Sequence, residues 1–420
     1  MKKYKICVIG LGYVGLPLAN SLSKNFDVIG YDVNEDRINQ LLNNFDKTGE
    51  LDKEDLKDSS LLLTSKSEDI AGVEIYIITV PTPIDSDKRP DLSAVFNAST
   101  LVAKLMKKGS IVVYESTVYP GVTEEECGPL LEKVSGLRCG KDFWLGYSPE
   151  RINPGDVSHT LSEITKVVAG QNENVLEILT EIYGSVNNGN VFKAKNIKTA
   201  EAAKVIENSQ RDINIAFINE VAMIFDGLGL STYDILEAAN TKWNFLDFKP
   251  GLVGGHCIGV DPFYLAYKAQ KIGVDPEIIL AGRKINDKMG SFVASRVLEQ
   301  LKPGDKVMIL GFTFKENVPD IRNTKVIDIV SKLQESQINV EINDPRADSL
   351  EVKNEYNINL VPLDYSKKYN SIILAVRHQE YNILSLELLS QMLELGGCIY
   401  DLKGVFKGQK APDRIKLISF

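Results

Sequence analysis

"KICVIGLGYVG", residues 5–15, decides how the first domain is read. An apolar run ends at Gly10, and Gly10, Gly12 and Gly15 then fit G-x-G-x-x-G. Alone this pattern is weak, and a turn that merely needs glycines is the bland alternative. Here it closes a strand-like run and opens a helical one. In that context the first glycine permits a tight turn, the second lets backbone approach a pyrophosphate, and the third lets helix pack on strand. The loop of Gly10, Leu11, Gly12, Tyr13, Val14 and Gly15 would present its amides, and the helix N-terminus, to phosphate charge. Asp32 ends the next apolar run, 17 residues after Gly15, where a carboxylate accepts from a ribose 2′-hydroxyl. It would repel a 2′-phosphate, and Val33 beside it offers no cation. NAD is therefore favoured over NADP, while FAD stays compatible with the fingerprint alone.

Working outward, "FDVIGYD" (26–32), "VEIYIITV" (73–80), "SIVVYES" (110–116) and "DFWLGYS" (142–148) are further strand candidates separated by helix-length segments. Their continuous apolar runs predict strands buried on both faces, hence a parallel, doubly wound α/β sheet. Residues 196 to about 228 lack proline and carry apolar residues at helical spacing up to the first glycine, Gly227, which predicts one long helix. Such a helix connects domains, forms a dimer surface, or both. The α/β pattern restarts with "KVMILG" (306–311), "INVEIND" (338–344), "SIILAV" (371–376) and "CIYDL" (398–402), a weak echo of the first half. The expected class is α/β, with two doubly wound domains (1–195 and 301–420) joined by a long central helix and a helical dimerisation region (196–300).

Composition is that of a globular chain: 420 residues, 44% hydrophobic and 25% charged. No apolar run reaches the roughly 18 residues of a membrane span. The basic-then-apolar start runs straight into the glycine turn and reads as a strand rather than a signal peptide. Five scattered cysteines without a CxxC suit a reducing cytoplasm. A formal charge of −9 disfavours nucleic acid and anionic membrane surfaces as partners.

Polar loops at later strand ends should face the cofactor crevice, placing Thr82, Ser116 and Thr117 there, with ordinary strand-end hydroxyls as the alternative. Thr123 and Glu126 read as a capping box. Glu150 and Arg151 sit side by side in "YSPERINPGD" and could be a surface ion pair. On the long helix Lys204 and Asn208 share a face, which Arg211 and Asp212 extend; an exposed polar stripe is the bland reading. "GFTFKENVPDIRNTKV" (311–326) follows a strand with Lys315 and Arg322, cations suited to a second phosphate-bearing ligand, but with one glycine it is no second dinucleotide fingerprint.

"GLVGGHCIGVDP" (251–262) places Cys257 among four glycines, with Asp261 four residues on. That composition suits a loop lying close to something. Zinc needs three or four ligands, and the three histidines (159, 256 and 378) are not at motif spacing, so no metal is expected. Nucleophile and buried thiol both remain open from the residues alone.

Taken together, "GLGYVGLPLA", "VPTP", "ESTVYPG", "SPERINPG", "AEAAKVIEN", "GGHCIGVDP" and "FKENVPDIRNTKV" span essentially the whole chain. In order and spacing it resembles the UDP-glucose/GDP-mannose dehydrogenase family, and "GGHC", where "GGSC" marks the UDP-glucose branch, is similar to the branch acting on UDP-N-acetylhexosamines. The resemblance implies two Rossmann-like domains about a dimerising central helix, so a homodimer. It implies oxidation of the sugar C6 alcohol to a carboxylate with two NAD⁺, serving surface polysaccharide synthesis.

Chemically, the intermediate aldehyde needs a nucleophile before a second hydride can leave; a thiolate gives a thiohemiacetal and then a thioester, which water releases. The resemblance makes Cys257 that nucleophile. Lys204 would favour the thiolate and, with Asn208, stabilise oxyanions. Asp261 and Thr117 would position water, and Glu150 would act as general base. It carries Arg37, Thr82, Thr117 and Arg322 to the cofactor. Glu150, Arg151, Lys204, Asn208, Phe248, Lys249, Gly251, Gly254, Phe314 and Lys315 go to the nucleotide sugar. Pro154 stands where the UDP-glucose branch has a second acid, and Lys403 where an arginine is common. The alternatives are a UDP-glucose or GDP-mannose 6-dehydrogenase, or a non-catalytic NAD-binding regulator.

Overall fold

The computed structural model describes residues 4–151 and 161–420. The chain divides into two compact units, residues 1–207 with 263–275, and residues 208–262 with 276–420. No helix among the described residues is long and apolar enough to cross a membrane.

The first unit is built on β1 (Lys5–Ile9), β2 (Asp27–Tyr31), β3 (Leu62–Thr64), β4 (Ile75–Ile78), β5 (Ile111–Tyr114), β6 (Trp144–Tyr147), β7 (Lys166–Gly170) and β8 (Val191–Lys193), in the order β3-β2-β1-β4-β5-β6-β7-β8. Every pairing is parallel except β6 with β7. The five strand candidates of the first half all form. The structure adds β7 and the three-residue β3 and β8, which are not among the strand candidates. β4 and β5 are buried along their whole length, as the continuous apolar runs require of strands covered on both faces. Strand order reverses between β1 and β4, so the crevice for a ligand opens at their carboxyl ends.

The second unit holds β9 (Lys306–Leu310), β10 (Asn339–Asn343), β11 (Tyr369–Leu374), β12 (Leu393–Asp401) and β13 (Lys416–Ser419), all parallel, in the order β10-β9-β11-β12-β13. Its core packs Val307, Ile309, Ile329 and Leu333 against Met289, Val293 and Val297 of the helix Glu277–Leu298.

The long helix runs from Ile197 to Gly227, 31 residues and roughly 46 Å. Gly229 at φ +70° ends it, and the Leu230 amide reaches back to the Phe225 carbonyl at 2.9 Å, closing a Schellman turn.

Candidate functional site

The fingerprint folds as a strand–turn–helix. Gly10 takes φ +96°, and its amide donates to the Tyr31 carbonyl at 2.8 Å. The helix Gly15–Ser23 starts where any Cβ on Gly15 would stand 1.8 Å from the Gly10 carbonyl oxygen and 2.3 Å from Thr79 Oγ1. A Cβ on Gly12 would meet nothing within 4 Å. So Gly15 serves packing, while Gly12 leaves room for a ligand. The Leu11 amide donates to Asp32 Oδ2 at 2.8 Å and the Asn34 amide to Oδ1 at 2.9 Å. A carboxylate has about four acceptor positions, so this leaves capacity for ribose hydroxyls. Arg37 lies beneath this loop, 5% exposed, with Nε on the Leu11 carbonyl at 2.8 Å and Nη2 2.8 Å from Asp46. Glycine clearance, acid and helix N-terminus together fit a dinucleotide.

Asp32, the fingerprint, Thr82, Thr117 and Glu150 follow β2, β1, β4, β5 and β6. These strands are neighbours and parallel, so all the loops emerge at one edge. Ser116 Oγ donates to the Val80 carbonyl at 2.6 Å, tying two of these loops together. Glu150 and Arg151 do not form the surface pair their adjacency suggested. Glu150 turns inward to Lys166 Nζ at 3.3 Å, while Arg151 reaches Glu207 at 2.8 Å. Residues 152–155 of "SPERINPG", including Pro154, and His159 lie outside the described residues.

Lys166, 1% exposed, also holds Glu115 at 2.8 Å, and Tyr183 donates to Glu115 at 2.5 Å. Burial pushes the Glu115 carboxyl up against the pull of Lys166. The ammonium, despite burial, is held above its ordinary value by the two carboxylates. These residues escaped the sequence reading because they lie up to 68 positions apart and meet only in the fold.

A second buried acid, Glu201, replaces the expected capping box. It accepts the Gly121 and Thr123 amides at 2.6 and 2.9 Å, whereas Glu126 accepts from Tyr119. Burial raises Glu201 to about 7. The "AEAAK" motif names it, but only the fold shows its task. Lys204 lies three residues on, 8% exposed.

In the second unit Cys257 occupies a turn leading into the helix Asp261–Lys271. Its carbonyl accepts the Val260 and Asp261 amides at 3.0 and 2.8 Å. Asp261, 2% exposed, accepts from Asn208 Nδ2 at 2.5 Å. Two predicted residues thus meet. Asp212 does not continue a polar stripe with the exposed Arg211; it is buried against Arg283 at 2.5 Å.

A Cβ on Gly254 would stand 2.5 Å from the Asn323 carbonyl oxygen, and one on Gly255 2.7 Å from the Phe314 ring. The glycines therefore let the cysteine loop lie directly on the "FTFK" loop. Asn219 holds Gly251 at both amide and carbonyl, 2.8 and 2.9 Å. Lys403 pairs with Glu316 at 2.7 Å, its Nζ 3.9 Å from where a Gly251 Cβ would be. Phe248 is half-buried, and the exposed Lys249 pairs with Asp247 at 2.5 Å. Lys315 and Arg322 share the facing loop. Arg322 holds Asp320 at 2.6 Å, and, although burial opposes it, keeps that carboxyl below its usual range.

This unit also repeats the fingerprint's geometry. Gly311, at φ +90°, donates to the Asn343 carbonyl at 2.8 Å, and the Phe312 amide to Asp344 Oδ2 at 2.6 Å. Here, however, His378 Nε2 lies 3.0 Å from the same oxygen, fully buried. The acid is consumed internally rather than offered to a ribose.

Three family models match the chain in order. They are the NAD binding domain of the UDP-glucose/GDP-mannose dehydrogenase family over residues 4–187, its central domain over 198–288 and its UDP binding domain over 308–408. The chain is 51% identical to Protein CapL of Staphylococcus aureus over 96% of its own length and 97% of that protein's. It is 49% identical to the UDP-N-acetyl-D-glucosamine 6-dehydrogenase of Pseudomonas aeruginosa, over 99% and 100%. A solved UDP-D-ManNAc dehydrogenase of Pyrococcus horikoshii superposes with TM-score 0.88 at 31% identity, covering 99% of each chain. With its glycine turn, strand-end acid and cysteine loop in these matched segments, the chain belongs to the UDP-glucose/GDP-mannose dehydrogenase family and is an NAD-dependent oxidoreductase.

Proposed function

We propose that this enzyme oxidises the C6 hydroxyl of UDP-N-acetylglucosamine, or a close UDP-N-acetylhexosamine, to the uronic acid, for surface polysaccharide synthesis. The observation that carries the substrate is 49% identity along the whole chain to a UDP-N-acetyl-D-glucosamine 6-dehydrogenase. We further propose residues 1–195 as the NAD domain, 196–300 as the central region carrying the cysteine loop, and 301–420 as the UDP-sugar domain.

A bound NAD⁺ supplies the hydride acceptor for each oxidation. The fingerprint, Asp32, Arg37, Thr82, Thr117 and Arg322 hold or support it. Phe248, Lys249, Gly251, Gly254, Phe314, Lys315 and Arg151 take the nucleotide sugar. Cys257 adds to the aldehyde and carries the thioester. Lys204 and Asn208 stabilise oxygen anions, Asp261 and Thr117 position water, and Glu150 draws its proton. The Asn208–Asp261 bond supports the pairing of oxyanion donor with water-positioning acid.

The enzyme works in the cytoplasm as a homodimer. Ile206, Phe217 and Ile224, all more than half exposed, fall on one stripe of the long helix, an apolar surface that a second copy would cover.

Mixing the enzyme with NAD⁺ and single nucleotide sugars tests the reading. Two NADH per UDP-N-acetylglucosamine and none from UDP-glucose are expected. The reverse would sink the substrate choice. No turnover of any nucleotide sugar would favour an NAD-binding regulator.

A further inference from the structure

His256 stood beside the nucleophile in the sequence with no task. In the structure its Nδ1 lies 3.3 Å from Cys257 Sγ. That is the reach of an S–H···N bond in the neutral pair and of N–H···S⁻ in the ion pair. Several features hold the ring there. Gly255, at φ +81°, turns the chain just before it, a conformation that favours glycine. The Phe314 ring packs 6.1 Å from the imidazole at a 48° tilt. The Asn323 side chain donates to the Gly255 carbonyl at 3.2 Å.

The charges of this unit around the pair are mixed. Asp261 follows in the helix that the cysteine turn leads into. The facing loop supplies Asp320, Arg322, Lys315 and Glu316, with Arg322 on Asp320 and Lys403 on Glu316. Asp320, whose carboxylate Arg322 favours, lies in the loop facing His256 and would favour an imidazolium there. Cys257 lies one turn before Asp261, so the amide end of that helix adds to the preference for a thiolate.

We propose that His256 is the proton acceptor and counter-ion of Cys257, so that the nucleophile exists as a thiolate–imidazolium pair. The inference rests on the reading of Cys257 as the nucleophile, and it gives His256 the activating task that the mechanism drawn from the resemblance assigned to Lys204. The S–H proton moves to Nδ1. The sulfur lone pair then forms the C–S bond to the aldehyde carbon, and the carbonyl π pair moves to oxygen. When that oxyanion collapses, the C–H bond breaks, its hydride reduces NAD⁺, and a thioester remains. Water adds, the C–S bond breaks, and the leaving thiolate returns to the imidazolium. The net change is aldehyde, NAD⁺ and water to carboxylate, NADH and two protons. His256 also favours departure of sulfur, because a stabilised thiolate is a better leaving group.

The test is the rate at which iodoacetamide alkylates Cys257 in the full-length enzyme from pH 5 to 10, read on the Cys257 peptide by mass spectrometry. Cys7, Cys127 and Cys398 are buried and Cys139 half-buried, and each is read on its own peptide. The wild-type midpoint should fall well below the free-thiol value of about 8.5. His256→Ser and His256→Gln should raise it by a unit or more, slowing alkylation at pH 6 about tenfold. The oxidation of the aldehyde should shift along pH in parallel. Two variants, each checked for NAD⁺ affinity, guard against a folding defect in one. Unchanged midpoints in both, or a shift seen with Lys204→Met and not with the His256 variants, overturns the pair. Cys257→Ser separates the two readings. If it keeps making acid, the nucleophile assignment fails; if acid formation is lost while the His256 profiles stay unchanged, only the pair fails.

Discussion

At the scale of single residues, the buried charges make the sharpest claims. Lys166 is the shared cation of Glu115 and Glu150, and removing it leaves two carboxylates in a site it alone neutralises among the described contacts. Lys166→Met should cost about 3–5 kcal/mol in urea unfolding, the usual cost of breaking a buried pair from one side. Glu201 gives a prediction in pH. Its folded pKa is raised to about 7, above the unfolded value of about 4.3. Between these values the folded state holds more protons, so its contribution to stability is present below the unfolded pKa and is lost as pH rises towards 7. The loss is of order 3 kcal/mol. Glu201→Gln should show a flatter decline between pH 4.5 and 7 than wild type in paired unfolding curves. An unchanged slope would refute burial as the cause.

At the scale of elements, the glycines of the fingerprint divide by what surrounds them. Gly15→Ala forces a Cβ against backbone, so it should destabilise by about 1–3 kcal/mol and lower the melting temperature. Gly12→Ala meets open space, so it should leave the melting temperature unchanged and weaken NAD⁺ binding about tenfold or more, read by fluorescence titration. The same contrast explains what the pattern disclosed. G-x-G-x-x-G announced the turn because phosphate approach and helix packing both exclude side chains. It also gave each glycine its task, but it could not show what the third packs against, since Thr79 follows β4, 64 residues beyond Gly15. The capping-box expectation failed for a related reason. A T-x-x-E pattern records local opportunity, and Glu201 from a distant helix took the amides instead.

At the scale of the whole molecule, the apolar stripe of the long helix predicts assembly. Phe217→Glu with Ile224→Glu should halve the mass seen by light scattering while far-ultraviolet circular dichroism stays the same. A wild type already monomeric at micromolar concentration would refute the dimer. The doubling of the α/β pattern along the chain appeared only as a weak echo in the sequence. In three dimensions it is closer: Gly311 and Asp344 repeat the bonds of Gly10 and Asp32. What ends the likeness is His378, which binds the acid's Oδ2 from the segment after β11, across β9 from Asp344.

The sequence by itself determined the fold class, the first ligand crevice and the family. Local patterns carry those: apolar runs for buried strands, glycine spacing for a phosphate turn, an acid at a strand end for a ribose. Its motifs also named Cys257, Asn208 and Asp261. Only the tertiary structure decided how acids and cations are paired. It put Lys166 under Glu150, Glu201 on the Gly121 turn, Asn208 on Asp261, and His256 beside its own neighbour's sulfur. Those pairings join residues remote in sequence or fix rotamers of adjacent ones, and neither leaves a period or a spacing to read.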